Sequence, residues 1–470
     1  VRTLWCERAW IEDGDNAPDI QHGVRVEYDD GGIVRAVNVG TEPPPDALVL
    51  RGIVFPAASN AHSHAFHRAL RGRTHGESGT FWTWRQAMYR AAGALTPALY
   101  EELATAVYTE MVTAGWTSVA EFHYLHHRPD GTPYGWKGDS GAHGSAHAME
   151  RALARAAVTA GIRLILLDTC YLSSGFGAPL QLEQIRFSDG SSAAWLTRLD
   201  ALRSAFADEF DAAQVSVGAA LHSVRAVDEA ALAEIARQLP VDLPLHIHLS
   251  EQPAENSDCL AATGLTPTGL LARHGLLSSR LTVVHATHLT SADIRLLGDA
   301  HVTVAMCPTT EADLADGIGP ARALHDAGAQ VALGTDQHAV IDPWLEMRAL
   351  EHGERLAGGR RGRFAPAELI RIAAAGGARA QGRTGPGLAV GRLCDLVALD
   401  PRSTRTAGSR PDQLPLTATA QDITAVVVGG VAVARDGRHI RLGNPADLLA
   451  TAIDKLEAAG EPEGAAASKD

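Results

Sequence analysis

Asn60-Ala61-His62-Ser63-His64 places two imidazoles at alternate positions. In an extended segment alternate side chains point the same way, so this pair can grip one ion. His246-Ile247-His248-Leu249-Ser250-Glu251 repeats the alternation and sets a carboxylate three positions beyond its second histidine. That spacing singles out His248 as a third ligand, with Glu251 beside the ion for proton transfer. Asp336, in Gly334-Thr335-Asp336, supplies a fourth donor. An aspartate there could also cap a following helix. It reads as a ligand because, like the histidines, it stands at the end of an apolar run.

Three histidines and a carboxylate suit one Zn2+, with Fe2+ or Mn2+ as alternatives, and a catalytic zinc keeps one position for water. A second metal would need a bridging group, often a carbamylated lysine at a fourth strand. Gln214–Val227 holds no lysine, so one ion is expected. The catalytic candidates are then Glu251, His285 and Asp336. Asp336 could accept a proton from the attacking water and His285 could orient that water. Glu251 would protonate the departing nitrogen. No G-x-S-x-G elbow precedes a helix, and no cysteine has an evident histidine partner, so nucleophilic schemes are less convincing.

These residues need a frame that brings distant segments together. Eight apolar strand-like runs recur, mostly separated by Ala-rich helical stretches: Ile53–Ala57, Thr117–Phe122, Arg163–Thr169, Gln214–Ala220, Leu243–Leu249, Leu281–Ala286, His301–Met306 and Gln330–Gly334. Such alternation predicts an α/β fold with a parallel sheet covered on both faces. Eight runs predict a closed (β/α)8 TIM-type barrel, whose active site lies at the carboxyl ends of the strands. The polar chemistry falls at those ends. Both termini read as short strands, with hairpins at Asp29-Asp30-Gly31-Gly32 and Gly429-Gly430. The expected organisation is a small β-sandwich domain from 1–56 and 385–445, and a barrel over 57–384. A C-terminal helix and disordered tail are expected over 446–470.

Composition narrows the class. The 470 residues are 46% hydrophobic and 20% charged, as in an ordinary globular protein. The net charge of −14 argues against nucleic acid as a partner. No run of about 18 apolar residues predicts a membrane span, and Val1–Trp10 does not read as a signal peptide. Five scattered cysteines without C-x-x-C fit reduced thiols in a cytoplasm. A small anionic substrate would need local arginines to create a positive field.

The set His62-x-His64, His248-x-x-Glu251, His285 and Asp336 resembles the amidohydrolase superfamily over nearly the whole chain. Within it, "NAHSHAFHRAL", "FWTWRQAMYR", "EFHYLHH", "LHSVRAV", "HIHLSEQ", "VHATHL" and "CPTTEADLADGIGP" are similar to formimidoylglutamate deiminases of histidine degradation. These enzymes convert N-formimidoyl-L-glutamate and water to N-formyl-L-glutamate and ammonia. The resemblance implies that Arg85, Tyr124, His222 and Arg225 contact the substrate and makes a homodimer the expected assembly. Where that family carries a glutamine this chain has His67, whose imidazole can also donate or accept a hydrogen bond. Arginines suit a dicarboxylate, which they bind bidentately. Phe81-Trp82-Thr83-Trp84-Arg85 could form a loop closing over the site. The alternative reading is a related zinc aminohydrolase acting on a cyclic amidine of purine or pyrimidine type.

Overall fold

Strands and helices alternate through the middle of the chain, and a second set of strands comes from the segments on either side of it. The computed structural model describes residues 2–12, 19–74, 81–135 and 145–460. The chain begins with β1 (Arg2–Ile11), β2 (Asp19–Tyr28), β3 (Val34–Asn38) and β4 (Leu48–Pro56). It continues with β5 (Ala58–Ser63), β6 (Trp116–His123), β7 (Arg163–Cys170), β8 (Val215–Leu221), β9 (Leu245–Leu249), β10 (Leu281–His285), β11 (Thr303–Met306) and β12 (Gln330–Leu333). It returns to the first sheet with β13 (Leu396–Leu399), β14 (Ile423–Val428), β15 (Val431–Arg435) and β16 (Arg438–His439).

β5 to β12 form an eight-stranded parallel sheet in sequence order, bridged from end to end at Ser63 and Asp336. This is the expected (β/α)8 barrel. Its strands read as apolar runs because both faces are covered: β6, β7, β9, β10 and β11 are buried at every position. The other eight strands form one continuous sheet, ordered β16-β15-β14-β13-β4-β1-β2-β3. It folds over on itself like a sandwich. Tyr28 Oη donates to the Gly430 carbonyl at 2.8 Å, and Leu4, Cys6, Val26, Leu50, Leu396 and Val427 lie in its interior. The helix Pro445–Gly460 packs against the helix Pro97–Thr113. The tail beyond Gly460, expected to be disordered, lies outside the described residues.

One expected strand is placed differently. Ile53–Phe55 does not open the barrel; it pairs with Val397–Leu399 as part of β4. The first barrel strand is Ala58–Ser63, which carries Asn60 and His62 itself. A single residue separates the two strands. Periodicity favours the apolar one, although every position of the polar one is also buried.

The terminal sheet is pinned to the barrel by a buried ion pair. Arg163 Nε and Nη2 donate to the two Asp395 oxygens at 2.9 and 3.2 Å. Asp395 also accepts from the Gly429 amide at 2.6 Å. Removing one partner of such a pair leaves the other charge buried alone. Asp395→Asn should therefore cost about 3 kcal/mol, read from the denaturant midpoint at unchanged slope. A change below about 1 kcal/mol would show that the pair does not anchor the sheet.

Candidate metal centre and active site

Each donor sits at the carboxyl end of a barrel strand. His62 is on β5 and His64 just past it; His248 is on β9, His285 ends β10 and Asp336 follows β12. His62 Nε2 is 3.2 Å from Asp336 Oδ1 and 3.2 Å from His248 Nε2. His64 Nε2 is 3.4 Å from His248 Nε2 and 3.5 Å from Asp336 Oδ1. All four residues are buried.

The outer nitrogens fix two tautomers. His64 Nδ1 donates to the Phe122 carbonyl at 2.9 Å, and His248 Nδ1 donates to the His222 carbonyl at 2.9 Å. A carbonyl only accepts, so both Nε2 atoms carry lone pairs. They face each other and a carboxylate oxygen, an arrangement that is repulsive unless a cation lies among them. Tetrahedral zinc bonds of about 2.0–2.1 Å would set ligand atoms about 3.3 Å apart. The donor set therefore fits one divalent ion.

The backbone at these strand ends is unusual. Ser250, His285, Ala286, Asp336 and His338 all have left-handed φ, from 41° to 69°. Such residues are strained, and here they cluster at the ends of the strands that carry the site. Asp336 is not a helix cap. Asp342 caps Pro343–Gly358, accepting from the Trp344 and Leu345 amides. Gly334 lets the last strand pass against the first, since a Cβ there would stand 2.8 Å from His62 Cβ.

Every site residue expected from the sequence except His62 lines a single cavity. His62 lies beneath it, fully buried. His67 Nε2 is 3.1 Å from Tyr124 Oη, and Trp84 meets the His67 ring edge-on at 5.2 Å. Arg85 stands on a helix, α1 (Phe81–Ala94), and not on the expected closing loop. Its Nε donates to Tyr89 Oη at 2.8 Å. The side chains of Phe81, Trp82 and Thr83 lie outside the described residues. Arg225 Nε is 3.6 Å from Glu255 Oε2.

Several contributors escaped the sequence reading. Tyr171 and Tyr89 wall the cavity, both held by the Gln184 side-chain amide at 2.9 and 3.0 Å. Glu255 balances Arg225, and Glu311 Oε1 lies 3.5 Å from His285 Nδ1. The strand-end rule would have found Tyr171, which directly follows β7. The others lie on helices or loops, where no spacing marks them.

The chain is 35% identical to the formimidoylglutamate deiminase of Pseudomonas aeruginosa over 459 residues, covering 93% of this chain and 96% of that one. It is 28% identical to the 8-oxoguanine deaminase of the same organism, covering 92% and 94%. The crystal structure of an amidohydrolase from Brucella melitensis superposes with a TM-score of 0.86 at 31% identity, covering 97% of this chain and 100% of that one. Residues 53–433 match the amidohydrolase family. The chain belongs to the amidohydrolase family. It is a hydrolase acting on a C–N bond. Among the described residues no helix is long and apolar enough to cross a membrane.

The electrostatics of this amidohydrolase divide its groups by task. Burial holds His64 and His248 well below the ordinary histidine range, so both are neutral and free to ligate. Burial alone would raise Asp336, but the His62 hydrogen bond and the surrounding imidazoles hold it far below the carboxylate range. His285 behaves in the opposite way to its neighbours. Burial would lower it, yet Glu251, Glu311 and Asp336 push it up to about 10. Burial, then Arg225 and Arg85, keep His222 neutral.

A second buried group, His123, His126 and Glu150, also brings possible ligand atoms together. His126 Nδ1 is 3.1 Å and His123 Nε2 3.4 Å from Glu150 Oε1. Arg198 Nη1 donates to that same oxygen at 3.2 Å and to Asp168 at 2.7 Å. The guanidinium supplies the positive charge that an ion would bring, so this cluster is an ion-pair network.

Burial brings the His67 pKa down to about 3. The unfolded histidine titrates near 6.5. Below that pH the unfolded chain binds a proton that the folded chain refuses, so stability falls as pH drops toward 3. At pH 5 this one residue should withdraw about 2 kcal/mol. His67→Gln should therefore lose less stability than the parent between pH 7 and pH 5. Equal losses would show that His67 takes up its proton in the folded state.

Proposed function

We propose that the protein hydrolyses N-formimidoyl-L-glutamate to N-formyl-L-glutamate and ammonia, a step of histidine degradation, with one Zn2+ in the donor set. The observation that carries this reading is the pairing of two arginines, Arg85 and Arg225, with the donor set, Glu251 and His285 around one cavity. The substrate has two carboxylates and one amidine-like head. Guanidinium groups bind carboxylates through paired short hydrogen bonds. The extended likeness to the Pseudomonas aeruginosa deiminase supports the same substrate.

Bound zinc would lower the pKa of water toward about 7 and polarise the carbon under attack. The protein's own groups then handle protons and orientation. Asp336 Oδ1 faces His62 and His64, while Oδ2 is turned toward His285 Nε2 at 3.9 Å. Oδ2 takes a proton from the attacking water. His285 Nε2 also lies 3.9 Å from Glu251 Oε1, so its N–H directs the water between the two carboxylates. Glu251 delivers a proton to the nitrogen that leaves as ammonia. Arg85, Arg225 and the Tyr124 hydroxyl hold the glutamyl portion, and His67 meets the head group. The balance is one water consumed, one C=N bond replaced by C=O and one ammonia released.

The aromatic wall of Trp84, Tyr124, Tyr171 and Phe187 favours a second reading, a deaminase of a flat heterocycle. A neutral heterocycle needs no carboxylate clamp. Arg85→Met and Arg225→Met should each cut kcat/KM on formimidoylglutamate by roughly 30-fold or more, about 2 kcal/mol of charged hydrogen bonding. No ammonia from formimidoylglutamate with the metal fully loaded would end this assignment. Glu251→Gln should keep its metal and lose at least about 100-fold in kcat. Retained turnover would remove Glu251 from proton transfer.

A further inference from the structure

Glu121 is a fully buried carboxylate that the proposed reaction does not use. It lies on β6, one residue before Phe122, whose carbonyl orients His64. Both of its oxygens are occupied by the segment leaving β5. Oε2 accepts from the Ser63 hydroxyl at 2.6 Å, and Oε1 accepts from the Ala65 amide at 2.6 Å. His64 is the residue between them. Ser63 Oγ also lies 3.2 Å from His338 Nε2, two residues beyond Asp336. With its own proton given to Glu121, Ser63 must accept from His338 Nε2–H. A hydrogen-bonded chain thus runs from Glu121 through Ser63 to the loop that presents Asp336. The His64 amide closes the circuit by donating to the Asp336 carbonyl at 3.1 Å.

An acid held without exposure is costly to bury, and its two short bonds end on either side of one metal donor. We propose that Glu121 is a positioning residue. It fixes the seat of His64 directly and that of Asp336 through Ser63 and His338, and so sets the affinity of the donor set for its ion. This rests on the reading of that set as a metal site and is independent of the substrate.

The geometry also says which substitution should be tolerated. In Glu121→Gln the amide oxygen can still accept from Ala65, and the amide nitrogen can donate to Ser63. Ser63 then donates to His338 Nε2, whose proton moves to Nδ1. That nitrogen has no hydrogen-bond partner, so no bond is lost. Glu121→Met fills similar space but leaves the Ala65 amide without an acceptor and cuts the link from β6 to Ser63, which keeps only its bond with His338.

The test is zinc affinity of the metal-depleted full chain by competition with a chromophoric chelator, alongside the melting temperature of each metal-free variant. Glu121→Met should bind zinc roughly 10- to 100-fold more weakly, the usual effect of losing a group that orients ligands. Glu121→Gln should stay within about threefold of the parent on the same argument. A purely structural role predicts that Glu121→Met lowers the melting temperature and leaves affinity unchanged; that result overturns the proposal. Glu121→Gln as weak as Glu121→Met would assign the effect to charge and overturn it too. Should Glu121→Met not fold, Ser63→Ala decides: weaker zinc binding supports the chain of bonds and parental affinity refutes it. A parent chain that takes up no divalent ion overturns the metal reading itself, and this proposal with it.

Discussion

The barrel closes through the residues of its own candidate metal site. A sheet becomes a barrel only when its last strand pairs with its first. Here the Thr335 and Asp336 amides both donate to the His62 carbonyl at 3.0 Å, and the His64 amide donates back to the Asp336 carbonyl. Asn60 completes the seam. Its Oδ1 accepts from the His62 and Thr335 amides at 3.2 Å, and its Nδ2 donates to Thr335 Oγ1 at 2.7 Å. The backbone groups and the Asn60 side chain of this buried seam are paired with one another, which is how a polar interior rigidifies and does not weaken a fold. Three of the four donors therefore cannot shift without opening the barrel. The fourth, His248, is tied across the sheet to the His222 carbonyl.

That rigidity allows an electrostatic arrangement that free side chains could not hold. Glu251, Glu311 and Asp336 gather around His285, while Arg85 and Arg225 stand on the same cavity. In water such charges would be screened and mobile. In a buried cleft each stays where its hydrogen bonds put it, and the fields are stronger. The chain as a whole is acidic, so the positive side of this cleft is a local construction that runs against the overall charge.

Sequence made much of this legible for physical reasons. Parallel barrel strands are buried on both faces, so they stand out as apolar runs, and their ends mark the catalytic face. His248, His285 and Asp336 stand out that way, and His62 and His64 by their alternate spacing. The rule failed where burial is polar. Asn60, His62 and Ser63 are buried because they make the seam, and a polar strand looks like a loop. It also failed for Arg85, whose aromatic surroundings suggested a loop where the chain is helical. Glu255, Glu311 and Gln184 act through partners far along the chain, and nothing in their local spacing announces those partners. Asp336 shows the converse. Its capping alternative was reasonable locally and is excluded by Asp342, which performs that task.

Arg225 shows how the cleft can keep a charge and still have it available. Its Nε and Glu255 Oε2 are 3.6 Å apart, and both atoms are buried without a hydrogen-bond partner. At that distance the two charges compensate each other without sharing a proton in a short bond. Glu255 Oε1 meanwhile accepts from the Ser250 amide at 3.3 Å, at the left-handed turn between His248 and Glu251. The guanidinium is thus balanced enough to remain buried while its Nε–H still lacks an acceptor. Under the proposed reaction a substrate carboxylate would supply the missing acceptor. The same glutamate supports the turn that carries Glu251, so Arg225 and Glu251 share one buried foundation.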